Sequence, residues 1–313
     1  MDTENPTRRD ALLAGASGVA ATMGWAASRR ARAAAASAGK PAGDNHQPSP
    51  HVFKISLAGY SFRDYLDKPG KPGKMSLFDM VDLGARIGLD AIEPTSYYFL
   101  RTDDAFIYEL KRRTFLAGLE ISGTPIRNNF CLPPGPKLDQ EIAHVRTWVD
   151  HCVKLGSPAI RIFAGKPPKD IPRPQVFPNA VNAMKNACAY AGSKGIFLAI
   201  ENHGYLTETA DDLLRLLDAV GSDWLGINLD TGNFRGDPYA NIAKAAPRAV
   251  TCQVKTMVHN PATNQREPAD FARIVQILRG AGYRGYLTLE YEGDDPHREV
   301  PIYIRKLQAL ARP

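Results

Sequence analysis

One pattern of apolar and polar residues repeats along the chain from His51 onward. A short run rich in β-branched and apolar residues is followed by a polar or Gly/Pro break. A longer stretch then follows, with apolar residues three and four positions apart. Short apolar runs bounded by turn residues indicate buried strands, and the longer spacing indicates amphipathic helices. The pattern therefore predicts strands and helices in strict alternation.

The alternation predicts eight strands and eight helices. The strands are predicted at 53–58, 91–93, 120–124, 159–163, 197–201, 226–230, 250–255 and 286–291. The helices are predicted at 77–87, 105–116, 138–155, 174–191, 209–220, a short one starting at Asp237, 268–279 and 298–310. Ser76 and Asp103 are suited to cap the first two helices.

Two α/β architectures are compatible with this alternation. Eight strand–helix units in about 260 residues are typical of a single (β/α)8 TIM barrel. An open doubly wound sheet would require a glycine-rich phosphate turn after the first strand. That position reads Gly-Tyr-Ser-Phe-Arg over 59–63, which is not such a turn. We therefore expect the barrel.

The first fifty residues have a different composition. The pair Arg8-Arg9 precedes an uncharged stretch over 11–28, and an Ala-rich segment ends near Ala38. These features predict a twin-arginine signal peptide over 1–38, a linker over 39–50 and a barrel over 51–313. A membrane anchor is the alternative, but the stretch is rich in Ala, Gly, Ser and Thr instead of strongly apolar residues. We expect an exported, periplasmic or extracytoplasmic protein without a stable membrane anchor.

The net charge argues against a nucleic-acid-binding protein, and the cysteine spacing argues against a CxxC site. The net charge of +6 comes from 39 basic and 33 acidic residues, and part of it lies in the predicted signal. No basic stripe with interleaved aromatic residues remains, so we expect no nucleic-acid partner. Four cysteines, with no CxxC spacing, are expected to be buried free thiols: Cys131, Cys152, Cys188 and Cys252.

Polar residues lie at or near the ends of the last four predicted strands. They are Glu201, Asp230, Gln253 and Glu290. The carboxyl ends of barrel strands meet at one rim, where carboxylates would repel one another. A divalent cation would relieve the repulsion, and this all-oxygen set favours Mn²⁺ or Mg²⁺ over Zn²⁺. Alternatively, each acid caps a helix or pairs with an arginine.

Short motifs at these strand ends resemble those of a known family. The motifs are Glu201-Asn202-His203-Gly204 after strand five, Leu229-Asp230-Thr231-Gly232-Asn233 after strand six, and Glu290 at strand eight. From His51 to its end, the chain resembles the xylose-isomerase-like superfamily of sugar isomerases and epimerases. The resemblance implies that Glu201 and Glu290 are metal ligands and proton-transfer residues, and that Asp230 is a ligand. At strand seven many relatives carry a His ligand followed by Lys, whereas this chain has Gln253 and then Lys255.

The resemblance implies an enzyme that acts on a carbohydrate or polyol ketone. The expected activity is a metal-dependent isomerase or epimerase that proceeds through an enediolate, with Glu201 and Glu290 as its acid/base pair. A lyase or dehydratase on a keto-sugar or glycoside would use the same enolate chemistry. A phosphodiester hydrolase and an inert sugar-binding barrel are further alternatives, and a homo-oligomer is compatible with the sequence.

Several other residues are candidates for substrate binding. His203 and Lys255 extend the faces of Glu201 and Gln253 and could contact substrate hydroxyls. Glu93 and Arg127 could bind a polar substrate, or form an ion pair with each other. Arg161 is expected to balance the acids at the barrel top. Five aromatic residues follow strand ends and could stack on a sugar ring, although aromatic residues in loops more often only cover the rim: Tyr60, Phe62, Tyr97, Tyr98 and Phe234.

Overall fold

A computed structural model describes residues 52–169, 171–263 and 265–312. The predicted signal peptide at 1–38 and linker at 39–50 lie outside these residues, so both stay predictions. Within the described ranges, no helix combines the length and apolar character required to cross a membrane.

The structure contains the predicted strands and one additional hairpin. The strands are β1 (Lys54–Ala58), β2 (Ala91–Glu93), β3 (Glu120–Ile121), β4 (Ala159–Ile162), β5 (Phe197–Glu201), β6 (Leu225–Asp230), β7 (Ala249–Lys255), β8 (Met257–His259), β9 (Arg266–Pro268) and β10 (Tyr286–Glu290). Strands β8 and β9 pair antiparallel outside the main sheet.

A helix follows each strand of the main sheet. The helices are α1 (Leu77–Arg86), α2 (Asp104–Leu116), α3 (Pro136–Leu155), α4 (Arg173–Ser193), α5 (Ala210–Val220), α6 (Pro238–Ala245), α7 (Phe271–Gly280) and α8 (Pro296–Ala311). Three short 3-10 helices lie at Gly59–Phe62, Ser96–Tyr98 and Ala246–Arg248. The predicted caps are confirmed, since the Ser76 and Asp103 side chains accept from backbone N–H groups of the first turns of α1 and α2.

The main sheet curls into a barrel of parallel strands. Its order is β3-β2-β1-β10-β7-β6-β5-β4, and every adjacent pair is parallel. The segment after β3 closes the ring against β4. The Thr124 N–H donates to the Ala159 carbonyl at 3.0 Å, and the Ile126 N–H donates to the Arg161 carbonyl at 3.1 Å. The predicted single (β/α)8 architecture is therefore confirmed for the described residues.

The closure explains why β3 is shorter than the predicted strand over 120–124. The Ser122 N–H donates to Ile92 of β2, whereas the Thr124 N–H donates to Ala159 of β4. The chain thus crosses from one neighbour to the other instead of forming a long ladder with either. Both faces of the central strands are covered, and all six residues of β6 are buried, as expected for parallel strands between a filled barrel and surrounding helices.

The predicted helix over 268–279 begins too early. Arg266–Pro268 instead forms β9, and α7 begins at Phe271 after Asp270, whose side chain accepts from the Arg273 N–H. An amphipathic pattern does not separate a short antiparallel strand from the first turn of a helix. The prediction of buried free cysteines is confirmed for all four thiols.

Candidate active site

The ends of β5, β6, β7 and β10 place charged side chains at one rim of the barrel. Strand register sets their neighbours, because Glu290 lies beside Lys255 and Asp230 lies beside Gln253. The side chains of Glu201, Asp230 and Lys255 are nearly inaccessible to water. Burial of unpaired charge is costly, so each group requires a partner.

The Lys255 ammonium lies among three carboxylates. It contacts Glu290 Oε1 through a short ion pair, lies 2.9 Å from Glu292 Oε1, and lies 3.5 Å from Asp230 Oδ2. Arg266 of the β8–β9 hairpin also approaches Glu292, at 3.4 Å. Lys255 is thus the internal cation of this half of the site.

These contacts shift the ionisation of the residues around Lys255. Burial opposes the charge of Lys255, but Asp230, Glu290 and Glu292 together raise its pKa well above the ordinary lysine value. Burial raises the pKa of Asp230 well above its ordinary value, although Lys255 opposes that change. Burial also opposes the charge of Glu292, but Lys255 and Arg266 hold its pKa below the ordinary value. Lys255 is therefore a permanent positive charge near neutral pH.

Arg161 plays the corresponding role for Glu201. Its Nε lies 2.9 Å from Glu201 Oε2, and its NH1 donates to the Ile126 carbonyl at 2.9 Å. The Asn233 side chain donates to the other Glu201 oxygen at 3.1 Å. Burial raises the pKa of Glu201 to about 7, with Arg161 opposing the rise and Glu290 adding to it. A carboxyl that titrates near neutral pH is suited to both accept and return a proton.

A chain of buried amides lies below the carboxylates. Thr251 Oγ1 donates to Asn228 Oδ1 at 2.7 Å, and Asn228 Nδ2 donates to Gln253 Oε1 at 2.7 Å. Gln253 Nε2 in turn donates to Glu93 Oε2 at 3.2 Å. The chain sets the orientation of the Gln253 amide and ends at Glu93, whose pKa burial and the nearby Glu290 raise to about 8. Glu93 is consequently uncharged at neutral pH.

A polar cavity of about 280 Å³ opens above these groups. Its lining combines acids, cations and aromatic rings: Tyr60, Tyr97, Arg127, Arg161, Phe163, Glu201, His203, Asn233, Lys255, Glu290 and Glu292. We call it the inner cavity. Both predicted catalytic residues, Glu201 and Glu290, face this one space.

The structure brings most of the predicted site residues together. Beside the two glutamates, the inner cavity contains four of the five predicted substrate-binding residues: Tyr60, Arg127, His203 and Lys255. Glu93, Asp230 and Gln253 are buried beneath it instead of lining it. No Glu93–Arg127 ion pair forms among the described residues, because Arg127 stacks over the Tyr97 ring at 5.0 Å while Glu93 binds Gln253.

The aromatic predictions divide by burial. Tyr60 and Tyr97 line the inner cavity, whereas Phe62, Tyr98 and Phe234 belong to the hydrophobic core. Aromatic residues that follow strand ends often pack into the layer that covers the barrel, so a ligand cannot contact them. Packing in the covering layer therefore describes Phe62, Tyr98 and Phe234, whereas Tyr60 and Tyr97 line the cavity where a sugar ring could stack.

Besides Phe163, which lies just after β4, three site residues were not predicted from the sequence. Glu292 and Asn233 line the cavity, and Asn202 bridges two strand ends below it. Asn202 Nδ2 donates to the Asp230 carbonyl at 2.8 Å, and its Oδ1 accepts from the Asp230 N–H at 2.9 Å. Each lies one to three residues beyond a predicted strand-end acid, which is the signal that could have revealed them.

The donor set fits a hard divalent cation in kind. Glu201, Asp230, Gln253 and Glu290 offer oxygen atoms only. The buried Asp230 Oδ2 accepts no hydrogen bond from any described residue, and the Lys255 ammonium lies 3.5 Å from it. Within the described residues, however, no three His, Cys, Asp or Glu side chains are gathered into a metal-binding group. The Lys255 ammonium provides the positive charge between Asp230 and Glu290.

Comparisons with known proteins agree with this architecture. The sequence profile of the xylose isomerase-like TIM barrel family matches residues 81–311. No curated protein matches the chain by sequence.

Several solved structures share the fold at low sequence identity. D-psicose 3-epimerase with D-tagatose from Clostridium cellulolyticum H10 superposes with a TM-score of 0.70 and 15% identity, over 83% of this chain and 100% of the epimerase. The probable 3-DHS dehydratase AsbF from Bacillus anthracis superposes with a TM-score of 0.63 and 18% identity, over 82% of this chain and 98% of the dehydratase. A xylose isomerase-like TIM barrel protein from Mycobacterium smegmatis in complex with magnesium superposes with a TM-score of 0.63 and 18% identity, over 83% of this chain and 97% of that protein.

The bridge made by Asn202 generates a prediction about stability. In Asn202→Asp, a carboxylate oxygen would face the Asp230 carbonyl oxygen where an N–H now donates. We expect the free energy of unfolding in urea to fall by about 1–3 kcal/mol, because a buried acceptor loses its donor. Asn186→Asp is the matched control, since Asn186 is exposed and its side-chain oxygen accepts from Arg146 on the surface. Equal stability of the two variants would contradict the bridging role.

Proposed function

The chain belongs to the xylose isomerase-like TIM barrel family, and from that premise we propose that it is a divalent-metal-dependent isomerase or epimerase of a carbohydrate or polyol ketone. The observation that carries the proposal is the inner cavity, where Glu201 and Glu290 face one polar space of about 280 Å³ from strands that are separated by two others in the sheet. Two carboxyl groups that face one small space can remove a proton from carbon and return it.

The two glutamates would divide the proton transfer. One removes a proton from the carbon beside the substrate carbonyl, and the other delivers a proton to a neighbouring atom or to the opposite face. Arg161 holds Glu201 and Lys255 holds Glu290, so each carboxyl is oriented by a cation. The Lys255 ammonium is also close enough to the cavity to donate a hydrogen bond to a substrate oxygen.

A divalent cation completes the proposed site. Glu201, Asp230, Gln253 and Glu290 would hold it, and it would supply Lewis-acid stabilisation for negative charge on the substrate oxygens. Mn²⁺ or Mg²⁺ suits the oxygen donors better than Zn²⁺. The magnesium complex of the Mycobacterium smegmatis protein supports divalent metal use in this fold.

Elimination is the alternative outcome of the same proton abstraction. A lyase or dehydratase would expel a β-hydroxyl or a glycosidic oxygen from the enolate instead of returning the proton. The structural likeness to a probable dehydratase keeps this activity open. The proposed twin-arginine export, which rests on Arg8-Arg9, also favours glycosides and oxidised sugars as substrates, because phosphorylated sugars are mainly cytoplasmic.

Deuterium exchange tests the proton transfer. We expect the protein with Mn²⁺ or Mg²⁺ to exchange a carbon-bound hydrogen of at least one sugar, keto-sugar or glycoside in D₂O, observed by NMR. Isomerisation or epimerisation yields a deuterated sugar, whereas elimination releases a new fragment. Glu201→Gln and Glu290→Gln should each slow exchange at least about 100-fold, because a general acid or base is lost.

The matched control for that experiment is Glu109→Gln on the exposed face of α2, where Glu109 pairs with Arg112 and Arg113. It should exchange at the native rate. Native rates in both active-site variants, or no exchange with any member of the panel, would overturn the proposed function.

Metal analysis tests the cation. We expect the purified protein, equilibrated with Mn²⁺ and desalted, to retain about one ion per chain, because the proposed oxygen donors lie at one rim and would together hold one ion. Asp230→Asn should lose most of the bound Mn²⁺, because a neutral amide would replace the buried carboxylate. Asp211→Asn, which changes an exposed residue of α5, should retain the ion. A native protein without bound ion would refute the metal site.

Substitution of Lys255 separates the internal cation from the metal. In Lys255→Met, Asp230 and Glu290 lose their ammonium partner, so we expect a melting temperature several degrees below the native value in EDTA. Mn²⁺ should recover more of the loss than it adds to the native protein, because both cations neutralise the same carboxylates.

Two controls accompany this variant. Lys255→Arg keeps the positive charge and shows whether the position tolerates a change of side chain. Lys244→Met removes an exposed lysine that is paired with Asp211. A Lys255→Met melting temperature that does not respond to Mn²⁺ would show that the ion does not bind among these carboxylates.

A further inference from the structure

A second cavity of about 620 Å³ adjoins the inner cavity. The two share Arg127, Phe163 and His203 as a common wall. The second cavity, which we call the outer cavity, extends from this wall between the loops after β3 and β4 and the first turns of α3. Ligand sites typically occupy about 300–1,000 Å³, so the inner cavity is small by itself and the pair together is not.

The shared wall is a packed pair of rings. The Phe163 and His203 ring centroids lie 4.6 Å apart, and the Arg161 guanidinium lies over the Phe163 ring at 4.0 Å. Flat rings beside a hydrogen-bonding cavity are suited to the apolar face of a sugar.

Side-chain amides hold the loops of the outer cavity in place. Asn128 donates to the Phe163 carbonyl and accepts from the Phe163 N–H, both at 2.8 Å. Asn129 donates to the Lys166 carbonyl at 2.8 Å, and its own N–H donates to Glu141 on α3 at 3.0 Å. The walls are therefore formed before any ligand binds.

Gly165 allows the two loops to approach each other. Its φ is +94°, and a Cβ at this position would lie 2.0 Å from Asn129 Oδ1. A side chain would be strained by the backbone conformation and would separate the loops. The cavity floor thus depends on this glycine.

The outer cavity carries an excess of positive charge. Arg127 and Lys166 line it and form no ion pair among the described residues. The carboxylate in the lining, Glu141, already accepts the Asn129 N–H. Two cations over one engaged carboxylate attract an anionic ligand group.

We propose that the outer cavity binds a second, carboxylate-bearing sugar unit, so that the substrate is an acidic glycoside and not a free monosaccharide. The reacting unit would occupy the inner cavity, the shared rings would lie between the two units, and Arg127 with Lys166 would bind the carboxylate. This assignment rests on the proposed function, because it takes the inner cavity to be the site of the reacting sugar.

Calorimetric titration with three probes tests the assignment: glucose, cellobiose, and cellobiuronic acid, which has the ring skeleton of cellobiose with one carboxylate. We expect cellobiuronic acid to bind at least about tenfold more tightly than cellobiose, and the advantage to weaken with added salt, because it is electrostatic. In Lys166→Gln the advantage should fall several-fold. His144→Trp, which would fill the outer cavity from α3, should weaken both disaccharides.

Lys169→Gln is the matched control, since Lys169 is an exposed lysine of the same loop outside the cavity lining. It should bind all three probes as the native protein does. Equal affinity for cellobiose and cellobiuronic acid, or an equal loss in the two lysine variants, would overturn the assignment. Sugar binding or deuterium exchange limited to monosaccharides would overturn the outer site alone, whereas absence of both with every sugar would refute the proposed function.

Discussion

Burial of several carboxylates at one end of the barrel is the constraint on which the site depends. Parallel strands bring their carboxyl ends to one rim, and water reaches little of Glu201, Asp230 or Glu290 there. In a low-dielectric setting, unpaired like charges would destabilise the fold by several kcal/mol. Lys255 and Arg161 relieve this repulsion from neighbouring strands. The charges therefore form a single balanced group, and a change to one alters the ionisation of the others.

The amide network is the neutral counterpart of this charge balance. Where many relatives are expected to carry histidine, Gln253 accepts from Asn228 and donates to Glu93. The amide does both at once, through its Oε1 and its Nε2. The Gln253 amide thus links the barrel floor to the acids above it.

The sequence predicted the barrel and the strand-end acids because both follow from local periodicity and from the common direction of parallel strands. It did not predict which cation would meet which acid. Lys255 lies beside Glu290 only because β7 and β10 are neighbours in a particular register, and register between distant strands is not a local property. The burial of Glu93 and the early end of β3 at Ile121 depend on closure of the barrel, which is also a non-local property. The β8–β9 hairpin was missed because its strands are too short to show a period.

The same rim combines two kinds of surroundings for a ligand. Toward the barrel axis, acids are paired tightly with cations, so the inner cavity can hold and move protons without a large net charge. Toward α3, Arg127 and Lys166 have no acidic partners among the described residues, and the loops that present them are fixed by Asn128 and Asn129. A ligand that spans both would place its reacting carbon against the balanced side and its anionic group against the cationic side. The charge asymmetry of the rim would then orient the substrate before any proton moves.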